Sequence, residues 1–211
     1  VDEGPQSLAR ALEGANFSEE TASVALKVVQ TAGLNLSELE NAIREAGNIK
    51  SIGIKLTDDQ KNKLIEDAIE NGDRNRGRTV YRKQQLMCGS CHVVNKEGGL
   101  SGPFLGKIGT FMTPRAILES VVNPNAVIKQ NYETMVITKK DGEVVVGVLD
   151  QKLTDATRLR LATGQVVEVA NSEIEKTEVT SNSIMPTGLT ASLHRDELRD
   201  LLTYLMSLGV D

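Results

Sequence analysis

Tryptophan is absent from the 211 residues, and only three tyrosines and three phenylalanines are present. A chain of this length must bury a sizeable hydrophobic core. With so few aromatic rings, part of the apolar volume of that core is missing, and a large cofactor can supply it. No apolar run approaches the roughly 20 residues that an α-helix needs to span a bilayer. The sequence therefore predicts no transmembrane segment in this chain.

Basic residues are in the minority, because 24 lysines and arginines stand against 29 acidic residues and the net charge is −5. An acidic balance argues against binding to nucleic acid, whose phosphates need a basic surface. One exception is a basic cluster just before the cysteines. It is either a positive docking face for a partner or an ordinary solvated helix face. Its members are Arg74, Arg76, Arg78, Arg82 and Lys83.

The first 72 residues are expected to be helical, because apolar side chains recur at the spacing of one helix face. The chain begins Val1-Asp2-Glu3, without an initiator methionine or a signal peptide, so we expect a mature or excised fragment. Thr57 and Gln60 form the pattern of a capping box. Helices are predicted over 7–12, 21–31, 36–46 and 57–72, and residues 1–56 are predicted to be a separate helical segment at the end of a helical repeat.

The middle of the chain changes character. Helices are predicted over 76–85 and 113–124, but residues 132–180 have short runs rich in valine, isoleucine and threonine, separated by turn residues. We expect a small antiparallel, barrel-like β insertion in a mainly α fold that ends with a helix over 195–208. The predicted strands are 132–139, 143–149, 158–163, 165–169 and 174–179.

The sharpest motif is Cys88-Gly89-Ser90-Cys91-His92. Two thiols at this spacing can form thioethers with the two vinyl groups of one haem, and the adjacent imidazole can bind the iron. The sequence therefore predicts one covalently attached haem c, with Cys88 and Cys91 as the attachment residues and His92 as an axial ligand of the iron.

Three other interpretations of this motif are weaker. A thioredoxin-like redox pair is typical of a βαβ unit, whereas a helix is predicted before Cys88. A zinc site would need further ligands, but His92 and His194 are the only histidines and there is no third cysteine. A plain disulfide would use the two thiols but not the adjacent imidazole.

An electron carrier needs a second axial ligand, for which the chain offers five methionines and one further histidine. Met185 is preferred because it lies in a predicted loop, where the following Pro186 cannot extend a regular element. Met112 is a weaker alternative. The remaining candidates are expected in the core, on the surface or too close to the attachment site, and they are Met87, Met135, Met206 and His194. Thioether and imidazole ligands leave the iron no open position, so catalysis at the haem is not expected.

A turn follows the attachment motif, with the sequence Ser101-Gly102-Pro103-Phe104-Leu105. We expect a backbone carbonyl near Pro103 to accept the imidazole N–H of His92 and to fix its tautomer. An ordinary turn is the alternative. After a haem attachment site, however, the Gly-Pro pair favours the supporting role.

Five short patterns follow one another along the chain, namely Gly77-x-x-x-Tyr81, Cys88-x-x-Cys91-His92, Gly102-Pro103-x-Leu105, Met185-Pro186 and Leu201-x-x-Tyr204-Leu205. Together they resemble the class I c-type cytochromes. The resemblance implies a cytochrome c-like helical haem domain over residues 57–211. It also implies that Gly77 and Tyr81 lie where the first helix of that domain crosses the last one near Tyr204.

Residues 118–124, 140–143 and 183–189 further resemble the haem-binding domain at the C-termini of large secreted proteins of planctomycetes and verrucomicrobia. In such proteins the domain follows a propeller similar to sugar dehydrogenases and then HEAT-like helical repeats. The resemblance implies that residues 1–56 are the end of those repeats. Phe104 departs from the family, whose members often have aspartate there, and this changes the expected polarity of the loop.

The resemblance implies an electron-transfer module, not an enzyme by itself, which receives single electrons from a fused or docked dehydrogenase. The alternative is a haem-based sensor or ligand-binding module, in which Met185 dissociates and the β insertion gates or reports the open iron. A third hypothesis makes the insertion a surface that selects the partner. Because thioether attachment takes place outside the cytoplasm, we expect the periplasm or another exported location, with the export signal outside this fragment.

Overall fold

The structure is a computed structural model that describes residues 4–31, 36–47, 56–190 and 193–210. None of the helices in these ranges is long and apolar enough to cross a membrane, as the sequence predicts. The helices are α1 (Gly4–Ala11), α2 (Glu19–Thr31), α3 (Ser37–Ala46), α4 (Asp58–Asn71), α5 (Arg74–Tyr81), α6 (Cys88–Cys91), α7 (Pro114–Val122) and α8 (Arg195–Met206). The strands are β1 (Glu133–Lys139), β2 (Val144–Lys152), β3 (Ala156–Arg160), β4 (Val166–Ala170) and β5 (Ile174–Ser183).

Helices α1, α2 and α3 pack together at the start of the chain. Their shared core includes Ala22 and Leu26 of α2 and Leu39 and Ile43 of α3. Helices are therefore present in the segment where the sequence predicts them. Membership in a HEAT-like repeat region stays a prediction, and residues 48–55, at the end of the predicted segment, lie outside the described ranges.

Helix α4 begins at the expected capping box. The hydroxyl of Thr57 accepts a hydrogen bond from the Gln60 N–H at 3.2 Å, and the Gln60 side-chain oxygen accepts one from the Thr57 N–H at 2.8 Å. The two bonds satisfy donors that the first turn of a helix leaves without partners. The helix then buries Leu64 and Ala68 in the helical core.

Helices α5 and α8 cross at a glycine. A Cβ on Gly77 would lie 1.9 Å from the backbone oxygen of Asp200, so only glycine permits this approach of the two backbones. One turn later the rings of Tyr81 and Tyr204 lie 5.5 Å apart, tilted by 55°. Gly77, Tyr81 and Tyr204 therefore lie together at the crossing. The surrounding core includes Leu64, Val80, Leu86, Ile117, Leu118, Leu198, Leu201, Leu202 and Leu205.

The sheet has the strand order β4-β3-β2-β1-β5, and each neighbouring pair is antiparallel. Strands β4 and β5 lie at opposite edges, yet only residues 171–173 connect them, so the strand ends lie within roughly 15 Å of each other. The sheet must therefore coil strongly. Its inner face forms a core of Met135, Ile137, Val145, Leu159 and Val169.

The expectation of a mainly α, cytochrome c-like fold is wrong. The structure mixes α and β elements, with 43% helix and 20% strand, and the sheet has a hydrophobic core separate from that of the helices. Alternating residues in a strand identify which face is buried, but they do not show that the five buried faces form a hydrophobic core separate from that of the helices. The strands lie near their predicted positions, between α7 and α8, but they form a five-stranded sheet with its own core, so the fold is not mainly α.

A buried carboxylate stabilises the crossing of α5 and α8. Asp200 is only 3% exposed, and it accepts hydrogen bonds from the Asp73 N–H at 3.0 Å, from Arg76 Nε at 2.6 Å and from Arg199 Nε at 2.9 Å. Burial alone would raise the pKa of Asp200, but the hydrogen bonds from Arg76 and Arg199 outweigh it and bring the pKa to about 2. The carboxylate of Asp200 is therefore ionised at pH values well above 2.

Replacing this carboxylate should weaken the fold and change its response to acid. The folded-state pKa of Asp200, about 2, lies below the ordinary value of 3.8, so its stabilisation is present above about pH 4 and is lost as the pH falls toward 2. We expect Asp200→Asn to lower the free energy of unfolding at pH 7 by about 2 kcal/mol and to flatten its fall below pH 4. Urea unfolding followed by circular dichroism at several pH values measures both effects.

Asp196→Asn is the matched control. The Asp196 side chain is 75% exposed and pairs with Arg199 at 3.4 Å, so its loss should change stability by less than about 0.5 kcal/mol. Equal effects of the two substitutions would contradict the role assigned to Asp200.

Candidate functional site

The two cysteines lie on a single helical turn. Helix α6 contains both Cys88 and Cys91 and follows Met87, whose φ of 55° is left-handed. The His92 N–H donates to the Cys88 carbonyl at 2.9 Å and closes the turn. The two cysteines are therefore one helical turn apart on the same short helix.

The loop of residues 97–105, called the glycine loop below, packs directly on residues 88–93, called the cysteine segment below. A Cβ on Gly99 would lie 1.8 Å from the backbone oxygen of Ser90, so a larger residue cannot occupy this position. Gly98 has a φ of 122°, which also favours glycine. Three hydrogen bonds of 2.8 to 3.1 Å join the two backbones, from the N–H groups of Gly99, Gly102 and Leu105 to the carbonyls of Gly89, Cys91 and Val93 respectively.

The glycine loop holds the imidazole of His92. Its Nδ1 lies 2.8 Å from the Pro103 carbonyl oxygen, so Nδ1–H is the donor of a hydrogen bond to that oxygen. A Cβ on Gly102 would lie 2.5 Å from Cε1 of the ring, which shows how closely the loop approaches. Burial lowers the pKa of His92 and outweighs the opposite effect of the Pro103 bond. The ring is therefore neutral at pH 7, with the lone pair of Nε2 available to a metal.

The two sulfur atoms have different surroundings. Both cysteines are free thiols, and neither is fully exposed. Cys88 packs against the helical core, and burial raises the pKa of its thiol to about 11. The Sγ atom of Cys91 instead lies 3.9 Å from the carbonyl oxygen of Ala162, in the turn between β3 and β4. The cysteine segment therefore contacts the helical core on one side and the sheet on the other.

The donors of the cysteine segment are two free thiols and one imidazole. Within the described ranges, no three His, Cys, Asp or Glu side chains are arranged to hold one metal ion, so Cys88, Cys91 and His92 do not converge as zinc ligands would. Two separate thiols and a neutral imidazole are the groups that covalent attachment and axial ligation of haem use. Partly exposed apolar side chains pack on the helical core together with Cys88, and they are Leu105, Met112, Val121 and Val122.

The candidate sulfur ligand Met185 lies in the loop between β5 and α8 and is half-buried. Its N–H donates to the Ser183 hydroxyl at 3.1 Å, and the Ser183 N–H donates to the Asn125 side chain at 2.7 Å, which ties the loop to the end of α7. No hydrogen bond joins Met185 to His92 among the described residues. The other candidates lie in the sheet core (Met135), against the helical core (Met112 and Met206), before α6 (Met87) and at the exposed start of α8 (His194).

Two contacts at the site were not expected from the sequence. The Tyr81 hydroxyl donates to the backbone oxygen of His92 at 3.2 Å, and burial raises the pKa of Tyr81. The Ser101 hydroxyl donates to the carbonyl of Ala162 at 3.3 Å. The glycine-rich sequence around Ser101 is a visible signal, but nothing in the sequence points to Ala162, which is 71 residues from Cys91.

The basic cluster before the cysteines is largely neutralised. Arg74 and Arg78 are exposed and form no ion pair in the part of the chain that the structure describes. A positive docking face would therefore depend mainly on two side chains, and the solvated helix face is the better description of the rest. The other three members are paired as Arg76 with Asp200, Arg82 with Glu97 and Lys83 with Glu197.

No protein-family model matches the chain, and a search of curated proteins also finds no match. The resemblance to class I c-type cytochromes therefore depends on the motif residues alone. The structure brings His92 together with Pro103, and it brings Gly77 and Tyr81 together with Tyr204. The remaining motif, at Met185, lies in a loop of its own.

The burial of Cys88 should slow its alkylation. In the variant Cys91→Ser, made without any group attached, Cys88 is the only thiol. Because burial raises its pKa to about 11, its thiolate fraction at pH 8 should be roughly 100-fold or more below that of an unfolded cysteine with a pKa of about 8.5. We expect iodoacetamide to react at least about 100-fold faster once the variant is unfolded in guanidinium. Mass spectrometry over time gives both rates, and equal rates in the two states would contradict the prediction.

Proposed function

We propose that this chain is a monohaem c-type electron-transfer module. In this proposal Cys88 and Cys91 attach the haem and His92 is an axial ligand of its iron. The observation that carries the proposal is the imidazole of His92, held at 2.8 Å by the Pro103 carbonyl directly after two free thiols on one helical turn. When bound, a haem supplies a one-electron couple between ferric and ferrous iron.

Cys88 and Cys91 would each add an S–H across one vinyl group, so that sulfur bonds to one vinyl carbon and the hydrogen goes to the other. The addition is balanced and needs no further oxidant. The two thiols are free and share α6, which suits attachment to two neighbouring groups of one ring. Burial keeps the Cys88 thiol protonated near neutral pH, so its reaction depends on positioning more than on thiolate character.

His92 is prepared for iron by its hydrogen bond. The Nδ1–H group donates to Pro103, which fixes the tautomer, orients the ring and raises the basicity of Nε2. Gly102 keeps the loop against the ring, because any Cβ there would collide with it. The Tyr81 hydroxyl, at the crossing of α5 and α8, donates a hydrogen bond to the backbone oxygen of His92. Iron ligation therefore needs little rearrangement of this residue.

Met185 is the proposed second axial ligand. Its loop is anchored at both Ser183 and Asn125, and the next residue, Pro186, is buried. A thioether and an imidazole together stabilise iron in both oxidation states and raise its potential relative to two imidazoles. Both axial positions would then be filled, which favours electron transfer over catalysis at the iron.

A fused or docked dehydrogenase is the proposed electron donor, and a downstream carrier is the acceptor. The module would then belong to a larger oxidoreductase system, as the resemblance to the planctomycete and verrucomicrobial haem-binding domain implies. We further propose an exported location, because thioether attachment occurs outside the cytoplasm of bacteria. Arg74 and Arg78, exposed on α5 before the cysteine segment, are cations that such a partner could contact.

The proposal predicts how two methionine substitutions differ. The protein, expressed with the export-side haem-attachment machinery, should gain the mass of one haem and show the weak near-infrared band of methionine sulfur bound to ferric haem. We expect Met185→Ala to lose this band while keeping the covalent haem, because only the second axial ligand is removed. Met112→Ala is the matched control and should keep the band, since Met112 packs against the helical core.

These spectra and masses distinguish the proposed electron-transfer module from a different axial ligand and from a haem-based sensor. A wild-type protein without covalent haem would refute the attachment. A band that survives in Met185→Ala but disappears in Met112→Ala would reassign the axial ligand. Covalent haem without the band, together with rapid carbon monoxide binding to the reduced wild-type protein, would favour the haem-based sensor.

A further inference from the structure

The turn between β3 and β4 is a tight hairpin that contacts the candidate site. The Leu161 N–H donates to the Gln165 carbonyl at 2.8 Å, and the Gly164 N–H donates to the Leu161 carbonyl at 2.9 Å. Gly164 has a φ of 86°, the left-handed conformation that such turns require. Neither bond uses the carbonyl of Ala162, which instead accepts hydrogen bonds from the cysteine segment and the glycine loop.

One backbone oxygen therefore connects the sheet to the site. The Ser101 hydroxyl donates to the Ala162 carbonyl at 3.3 Å, and Cys91 Sγ lies 3.9 Å from the same oxygen. Ser101 has no exposed surface, so its hydroxyl has no access to water as an alternative partner. A buried hydroxyl without a partner is costly, and this bond is the one that satisfies Ser101.

Ser101 is held rigidly from both sides. The N–H of Gly99 donates to Gly89, and the N–H of Gly102 donates to Cys91, which fixes the loop backbone before and after Ser101. Gly102 also lies against the imidazole of His92. Two consecutive residues of the loop thus contact the sheet turn and the proposed iron ligand.

Thioether formation would leave the Ala162 carbonyl with one hydrogen-bond donor instead of two. The Cys91 S–H group is consumed when its sulfur bonds to a vinyl carbon, so Cys91 can no longer donate to the Ala162 carbonyl. Ser101 then remains the donor that holds this oxygen. The contact between sheet and site would therefore depend on Ser101 most strongly in the haem-loaded protein.

We propose that the β3–β4 turn is a cover over the Cys91 side of the haem and that Ser101 is the positioning residue that holds the cover in place. This inference rests on the proposed function and assigns a role to the sheet within it. A cover that excludes water from the haem edge destabilises the more highly charged ferric form relative to the ferrous form and raises the reduction potential. The sheet would thus tune the potential through its contact with the site.

Two pairs of variants test the cover in the haem-loaded protein. Ser101→Ala removes the donor, and its control is Ser90→Ala, the same change at an exposed serine between the two cysteines. Gly164→Ala strains the turn, and its control is Gly142→Ala in the turn between β1 and β2. Both glycines have a left-handed φ, 86° and 89°, and an added Cβ would have nothing within 4 Å, so the local strain is matched.

Redox titration of each variant gives the decisive readout, after intact mass has established one covalent haem per chain. We expect Ser101→Ala and Gly164→Ala to shift the potential to more negative values, so that the ratio of ferric to ferrous protein at the wild-type midpoint rises at least about threefold. Ser90→Ala and Gly142→Ala should leave this ratio unchanged. Faster hydrogen exchange over residues 161–165 in Ser101→Ala, compared with Ser90→Ala, would show that the turn has loosened.

The results distinguish a failure of the proposed function from a failure of the cover alone. A wild-type protein without covalent haem overturns the proposed function and the cover together. Covalent haem with equal potentials in Ser101→Ala and Ser90→Ala overturns the cover alone. If Ser101→Ala fails to fold, the glycine pair decides, and equal shifts in Gly164→Ala and Gly142→Ala would likewise overturn the cover.

Discussion

Backbone packed directly against backbone is the constraint on which the site depends. The cysteine segment and the glycine loop approach so closely that Gly98 and Gly99 leave no room for a Cβ, and the hydrogen bonds between them satisfy polar groups that this contact removes from water. The same contact places the Pro103 carbonyl at His92 and the Ser101 hydroxyl at the sheet turn. The orientation of the imidazole and the position of the turn thus follow from the packing of one short loop.

A second close approach of two backbones, the crossing of α5 and α8, forms the frame around the glycine loop. At Gly77 the backbones of α5 and α8 touch, and one turn later Tyr81 extends from the crossing to the carbonyl of His92. The two approaches differ in what stabilises them. The loop is held mainly by neutral backbone hydrogen bonds, whereas the crossing includes the buried, ionised Asp200 and its two arginines. Acid acts on both, because burial lowers the pKa of His92 below its ordinary value of 6.5 and the hydrogen bonds of Asp200 lower its pKa below 3.8. The imidazole is therefore the first of the two groups to oppose folding as the pH falls.

Local patterns in the sequence predicted the parts of the structure that short-range physics determines. The capping box at Thr57 and the alternating residues of the strands each depend on neighbours a few positions away. The fold class was wrong because the five strands form a sheet with a hydrophobic core of its own, and the alternation within each strand does not show that such a core is separate from that of the helices. Within the site, the motif placed His92 beside Pro103 but gave no information on Ala162. That carbonyl is a backbone group, so its role leaves no signature in residue type.

The separation of the two hydrophobic cores gives the site a structural importance beyond its own chemistry. Side-chain hydrogen bonds between the sheet and the helical part occur at two places in the described residues. One is at Ala162, beside Cys91 and Ser101, and the other joins Ser183 to Asn125, two residues before Met185. Both places are next to residues that the proposed function assigns to the haem. A group attached there would contact segments that belong to different cores, and contacts that form only in the assembled state stabilise that state. Attachment would therefore stabilise the arrangement of the sheet on the helices more than either core alone.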